Sequence, residues 1–366
     1  MRPSFHPRLI NGPFDDPGLF IPFQFQNRAV IFDLGDINCL TPKDILKISH
    51  IFVSHTHMDH FIGFDRLLRL SLGREKNLSL YGPPGFLKNV EGKLAGYTWN
   101  LADKYNYPLS LQISEVHPRY TLCRQYRCRD RFQPLRDPVE QPFSGILYEE
   151  PAFRVSAVIL DHKIPCLGFS IRERFHVNII KDGLKTLGLT PGPWLTEFKQ
   201  ALYRQTDPAS KFEAIFDRQK PAKHFILGSL ADKIARITPG QKISYITDVV
   251  YSAANSEKIV AVAGGSDHLF IEAVFLDQDR ELANKKHHLT ARQAGHLAGT
   301  AQVKQVTVFH FSPRYMGMEQ QLQQEATTAY ESSLRQKAEG FDFEIRPPAH
   351  RGLCLRPGGN GGCGVK

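Results

Sequence analysis

The stretch HIFVSHTHMDHFIGFDRLLRL (50–70) places His50, His55, His57, Asp59 and His60 within eleven residues, after an apolar run and before an amphipathic one. On an extended segment residues i and i+2 point to the same side, so His55 and His57 can reach one ion. Asp59 and His60 fall where helical periodicity starts with Phe61, and a helix N-terminus there would hold them in place. One loop therefore offers two sets of ligands, one on each side of a turn. Histidine and carboxylate without thiolate is the donor chemistry of catalytic zinc or a similar divalent ion.

One loop cannot complete two sites, so distant ligands must return to it. His162 follows VSAVILD, Asp248 ends SYITD and His310 ends VTVFH, each just beyond an apolar run where a side chain emerges from a sheet edge. A single histidine at a strand end is more often a hydrogen-bonded structural residue, and Asp248 alone could cap a turn. The joint pattern shifts the balance towards ligands.

Short runs rich in Val, Ile, Phe and Tyr recur, at 28–35, 50–54, 78–82, 153–160, 166–172, 242–248 and 305–311, each closed by turn or polar residues. Helical periodicity appears at 63–72 and 289–302. Strands with interspersed helices predict an α/β or α+β layered fold. The 366 residues suffice for one large domain or two small ones.

Three segments break the rhythm. The segment 118–143 is Arg-rich with interleaved aromatics, either a solvated excursion or a nucleic-acid contact. The segment 171–224 contains LGLTPGPW, whose Pro-Gly-Pro cannot continue a helix or a central strand. The Gly-rich basic segment 346–366 reads as a flexible tail. A net charge of +9 favours polyanionic partners, but a basic surface without a ligand fits it as well. The first residues carry no apolar signal region, no run approaches a membrane span, and six scattered cysteines suit a reducing cytoplasm. Cys123 and Cys128 lack the second pair that a structural zinc site needs. Cys166, beside His162, reads as a packed thiol rather than a nucleophile.

SHTHMDH (54–60) resembles the HxHxDH signature of the metallo-β-lactamase fold superfamily. Within it, the chain is similar to the ribonuclease Z family, the tRNA 3′-processing endonucleases. The matching pieces run in order from IFDLGD (31–36) through YGPPGF, LDHKIPCLGFSI, LTPGPW, ITD, IEAVF and HLTARQAG to FHFSPRY (309–315). The resemblance implies a four-layer αβ/βα sandwich over 1–345, with an inserted arm at about 171–224. It assigns His55, His57 and His162 to one zinc, Asp59, His60 and His310 to another, and Asp248 to both; manganese or iron would also suit these ligands. Asp33 would support the ligand loop. Asp59 would accept or position the proton of the attacking water, His288 would protonate the leaving oxygen, and Glu272 would orient His288.

The implied reaction is endonucleolytic removal of tRNA 3′ trailers by metal-activated water, with the chain as a cytoplasmic homodimer. The implied arm grips the tRNA through Lys185, Pro191, Gly192, Pro193 and Trp194, with lysines for phosphates and aromatics for stacking. An amphipathic arm helix packed on a partner subunit is the other reading of the same residues.

The chain departs from the family in several places. It opens with NGPFDDPGLFIPFQFQ in place of a Gly-Thr-rich loop. Thr247 and Val249 flank Asp248 where the family has glycine and threonine, so the hydroxyl beside Asp248 is expected to be lost. Ile271 stands for a histidine and Leu289 for a serine. These changes suit a divergent ribonuclease Z, or a hydrolase of the same fold acting on a small ester or phosphodiester. An arm that projects favours RNA, and one that folds over the metals favours the small substrate. A nucleic-acid-binding protein without catalysis is disfavoured by the complete ligand set.

Overall fold

The structure, a computed structural model, describes residues 4–24, 26–107, 109–214 and 222–344; the expected tail at 346–366 lies outside them. The first sheet runs in chain order: β1 (Arg8–Leu9), β2 (Leu19–Pro22), β3 (Ala29–Phe32), β4 (Ile48–Phe52), β5 (Lys76–Gly82), β6 (Leu109–Val116), β7 (Tyr120–Arg127) and β8 (Val139–Pro142). Its centre, β3 to β6, is parallel, and antiparallel strands flank it. The second half adds β9 (Ile146–Glu149), β10 (Phe153–Asp161), β11 (Pro165–Glu173), then β12 (Phe175–Ile179), β13 (Lys211–Ala214), β14 (Lys223–Ile226) and β15 (Ala235–Pro239), and last β16 (Lys242–Ile246), β17 (His268–Glu272) and β18 (Val306–Phe309). The second sheet is ordered β18-β17-β16-β11-β10-β9.

Three apolar layers define the sandwich. Between the sheets lie Phe32, Phe52, Phe169, Tyr245 and Phe309, with Phe32 stacked on Phe169 at 5.2 Å. Outside the first sheet, Leu67, Leu68, Phe86 and Val90 from helices 64–71 and 86–95 close a second layer. Ile259, Leu297 and Leu322 from the helices Ala253–Ala263, Ala291–Thr300 and Glu319–Glu344 close the third. Strands covered on both faces read as unbroken apolar runs, and all four residues of AVIF in β3 are buried. This is the αβ/βα arrangement expected. The helix at 291–300 opens with a capping box between Thr290 and Gln293. Gly299 lets it approach the last helix, because a Cβ there would meet the Tyr330 carbonyl at 2.6 Å.

Two features differ from the sequence reading. The Arg-rich 118–143 segment is not a loose excursion: β7 and β8 extend the first sheet, Tyr126 is buried, and Arg124 pairs with Glu91 at 2.7 Å. The arm leaves after Glu173 and returns at Lys242, well past residue 224, because β15 pairs along β12 and closes it. It carries its own apolar cluster, including Leu184, Trp194, Phe198, Leu230 and Ile234. Among the described residues no helix is long and apolar enough to cross a membrane.

Candidate metal centre

The parallel strands β3, β4, β16, β17 and β18 end at one edge of the sandwich, and their C-terminal ends deliver Asp33, His55, Asp248, Glu272 and His310. Carboxyl ends of parallel strands are where open α/β sheets place ligands. His162 joins them from the turn between β10 and β11. Asp33, Asp248 and His310 have left-handed backbone, with φ of 58°, 44° and 59°. Such conformations in non-glycine residues concentrate at functional sites and persist only when their surroundings enforce them.

The two expected ligand sets are brought together. Nitrogen or oxygen atoms of His55, His57, His162 and Asp248 lie within 4.8 Å of one another, and so do those of Asp59, His60 and His310. Asp248 faces both sets. Its Oδ2 lies 3.5 Å from His55 Nε2 and 3.4 Å from His162 Nε2. Its Oδ1 lies 3.5 Å from His60 Nε2 and 2.9 Å from His310 Nδ1. Asp59 Oδ2 sits 3.4 Å from both His60 Nε2 and His310 Nε2, and its side chain is 41% exposed, so it stands at the mouth.

Two of the rings, His60 and His162, are aimed by a partner on the far side. His60 Nδ1 donates to Asp33 Oδ2 at 2.9 Å, which turns Nε2 inward. Asp33 also accepts from Ser54 N, Ser54 Oγ and the Tyr245 hydroxyl, at 2.6, 2.8 and 3.0 Å. His162 Nδ1 donates to the His287 carbonyl at 2.8 Å. A fixed far-side acceptor sets the tautomer and direction of a metal-binding imidazole. His288 Nδ1 lies 2.8 Å from Glu272 Oε2, beside Asp248 and His310.

Charge at this centre is poised for cations. Burial, then the neighbouring His60, pushes His55 down to about 2. Burial opposes charge on His60 too, but the Asp248 and Asp33 carboxylates win and hold it well above the usual histidine range. His310 is raised against burial by Asp248. Burial would raise Asp248, yet His310 and His60 hold it far below the usual range. Protons on two rings thus offset the carboxylates, a role that divalent cations fill with both rings neutral. Among the described residues, His55 Nε2 and His60 Nε2 are buried without a hydrogen bond, and buried ring nitrogens rarely stay so. The residues present fit a pair of divalent cations.

Two sequence expectations change here. The hydroxyl beside Asp248 is not lost: Thr247 Oγ1 donates to Asp248 Oδ1 at 2.8 Å, from the preceding residue instead of the following one. Trp194 is 1% exposed and gives its indole N–H to the Thr190 carbonyl at 2.9 Å, so it packs the arm core and has no free face for a base. Lys185, Pro191 and Pro193 are exposed and Gly192 is half-buried, on the arm and not at the metal centre. The unusual N-terminal loop packs on the second ligand set: Phe311 N donates to the Pro13 carbonyl at 2.6 Å, and the Phe14 and Phe311 rings meet at 5.5 Å. Ser54, Tyr245, Thr247 and the His287 carbonyl were missed as supports. Ser54 lies inside the quoted motif, while Tyr245 reads as an ordinary core residue. Among the described residues, Cys123 and Cys128 join no group of metal-binding donors, and Cys166 is buried at 3.9 Å from His55 Nδ1.

Fold and site together define a hydrolase of the metallo-β-lactamase fold with a histidine–aspartate centre suited to two metal ions. The metallo-β-lactamase fold protein YhfI from Bacillus subtilis superposes with a TM-score of 0.50 at 15% identity, covering 89% of this chain and 94% of that one. No family model matches the chain. Curated relatives do: the chain is 31% identical over 293 residues to ribonuclease Z of Deinococcus radiodurans, covering 79% of this chain and 84% of the relative. It is 32% identical over 278 residues to ribonuclease Z of Crocosphaera subtropica, covering 74% and 71%. The chain belongs to the ribonuclease Z family.

Proposed function

We propose that the chain removes 3′ trailers from precursor tRNA by hydrolysing one phosphodiester bond at this centre. The carrying observation is Asp248, with one oxygen towards each ligand set and the His288–Glu272 pair alongside. His55, His57 and His162 would hold one cation, Asp59, His60 and His310 the other, with Asp248 shared. Two divalent cations in such a site lower the pKa of the attacking water and offset phosphoryl charge. Zinc is the metal proposed, two per chain, with manganese or iron as the other metals this donor set accepts.

The chain's own residues divide the remaining work. Asp59, at the mouth, would accept or orient the proton of the attacking water. His288 would give its proton to the departing 3′ oxygen, and Glu272 keeps its ring in line for that transfer. Asp33 holds His60 in its inward orientation.

The arm favours RNA over a small ester. It is rooted at Glu173, the far end of the nine-residue β11 whose other end carries Cys166 beside His55. Eight strand intervals span roughly 27 Å. A unit rooted that far away suits a grip on a long substrate better than a lid. We read residues 1–345 as one hydrolase domain with this arm inserted, acting as a cytoplasmic homodimer; sedimentation of the purified chain checks the dimer.

The deciding experiment offers the purified protein a precursor tRNA with a 3′ trailer and, separately, bis(p-nitrophenyl) phosphate. Cleavage after the discriminator nucleotide that disappears in His57→Ala is the expected result. Turnover of the small diester alone would overturn the tRNA reading and leave the two-metal hydrolysis standing.

A further inference from the structure

A cavity of about 650 Å³ lies away from the metal centre, between the root of the arm and the far end of the sandwich. Its volume falls in the range of small-molecule sites, roughly 300–1,000 Å³. On the body side its wall includes Phe5, Phe23 and Phe153, whose rings form one cluster with centroids 5.0–5.9 Å apart. On the arm side it includes Leu184 and Leu195.

Two carboxylates and two lysines line this wall, and they differ in how they are partnered. Both carboxylates are already engaged. Glu150 pairs with Arg28 at 2.7 Å. Glu173 accepts from the Ser4 hydroxyl at 2.5 Å, the Tyr203 hydroxyl at 3.4 Å and Gln241 N at 3.3 Å, and its Oε1 lies 3.1 Å from Nδ1 of His176, also in this wall. The two lysines of the wall, Lys181 and Lys199, make no hydrogen bond and no ion pair within 4.0 Å among the described residues. Lys199 is half-buried, and the loss of water lowers its pKa, with Glu173 acting the other way. Among the described residues the Lys199 ammonium feels the Glu173 charge but pairs with no carboxylate within 4.0 Å, which leaves its N–H groups to donate to an anion.

We propose that this cavity binds a small amphiphile, with a carboxylate head held by Lys199 and Lys181 and an aliphatic or aromatic body against Phe5, Phe23 and Phe153. The opposed walls belong to the arm and to the body, so an occupant bridges the two. The metal centre takes no part in this binding.

The test is calorimetric titration of the full, metal-loaded chain with decanoate, decanol and acetate. Decanoate is expected to bind once per chain, with acetate undetectable and decanol weaker. Lys199→Met should weaken decanoate about tenfold and leave decanol unchanged, since a charged hydrogen bond is typically worth a factor of that order. Lys199→Arg should retain decanoate binding, and Leu195→Trp should block both ligands by filling the recess; thermal melts establish that each variant is folded. Decanoate binding that survives both Lys199→Met and Leu195→Trp would place the ligand elsewhere and overturn the proposal. So would an absence of binding up to millimolar decanoate. Binding that appears only once residues 1–3 are deleted would make the cavity the seat of the chain's own N-terminus, and would equally overturn it.

Discussion

Glu272 Oε2 holds His288 Nδ1 at 2.8 Å, while its Oε1 accepts the backbone N–H groups of Val249 and Leu289 at 3.1 and 3.0 Å. The carboxylate is fully buried, so each oxygen has a fixed task. One anchors the turns after Asp248 and before the helix at 291–300. The other keeps a proton on His288 Nδ1 and favours the charged ring, which can then release a proton from Nε2. Burial alone would raise Glu272, but the His288 charge pulls it down to about 2.

Glu272→Gln separates these tasks. Two backbone donors claim the amide oxygen, so the amide NH2 must face His288. That ring then accepts at Nδ1 and loses its counter-charge, which leaves a neutral and poor acid. We expect kcat on precursor tRNA to fall about 10²–10³-fold with KM little changed, the size typical of losing a positioned general acid. A loss seen only in KM would show that the pair binds substrate and does not serve the chemistry.

Asp33 acts one step behind the ligands. It is buried with left-handed backbone and accepts from Ser54, His60 and Tyr245. Asn tolerates that backbone, so Asp33→Asn preserves the turn and removes the charge behind His60. Affinity for the metal held with His60 should drop about 10–100-fold, as for other outer partners of metal-binding histidines. Metal content after dialysis against graded chelator reads this directly, and retention equal to the parent protein would refute it.

The grouping of these side chains was legible because each of them follows an apolar run. A side chain leaving the end of a parallel strand reaches the same edge whichever strand it comes from, so His162, Asp248 and His310 could be placed with the SHTHMDH loop. The supports were harder to read. Tyr245 sits in an apolar strand like any core aromatic, and only the register of β16 beside β11 brings its hydroxyl to Asp33. The arm's end was misplaced because β15 is a short, half-exposed strand whose pairing with β12 spans about sixty residues and leaves no local signal. Trp194 misled because an aromatic next to Pro-Gly-Pro suits a stacking tip and a helix start equally. Its helix begins at Trp194 itself, and that turns the indole into the arm core.

Trp194→Ala therefore acts through the fold of the arm. Truncating a buried Trp typically costs about 3–5 kcal/mol, a large share of what so small a unit can hold. We expect a lowered or separate melting transition and a raised KM for precursor tRNA, with bis(p-nitrophenyl) phosphate hydrolysis unchanged. Trp194→Phe should recover most of both. Weakened RNA binding with an unchanged melt would instead restore a direct contact.

His50 makes stability depend on pH away from the metals. Its ring packs 4.1 Å from Tyr148, and burial, then Arg28, lowers it to about 4. An unfolded histidine near 6.5 binds its proton first, so the native state loses stability as pH falls from 6.5 towards 4. Between pH 7.5 and 5.0 this amounts to about 2 kcal/mol. His50→Gln should remove that part of the slope when both proteins are melted metal-free at each pH, and parallel slopes would show that His50 does not titrate.

Thr247 supplies the hydroxyl that the altered sequence around Asp248 was expected to lack. Its Oγ1 lies 2.8 Å from Asp248 Oδ1, the oxygen facing His60 and His310, and both residues are buried. A hydroxyl bonded to a carboxylate lowers the energy of the charged form and fixes the direction of its lone pairs, both of which favour a bound cation. Thr247→Val keeps the shape and removes the donor. It should weaken retention of the metal that Oδ1 faces by about tenfold, while Thr247→Ser keeps it near the parent value. Competition with a chromophoric chelator measures the change. Equal affinity in the Val and Ser variants would mean that Asp248 is held by its histidine neighbours alone.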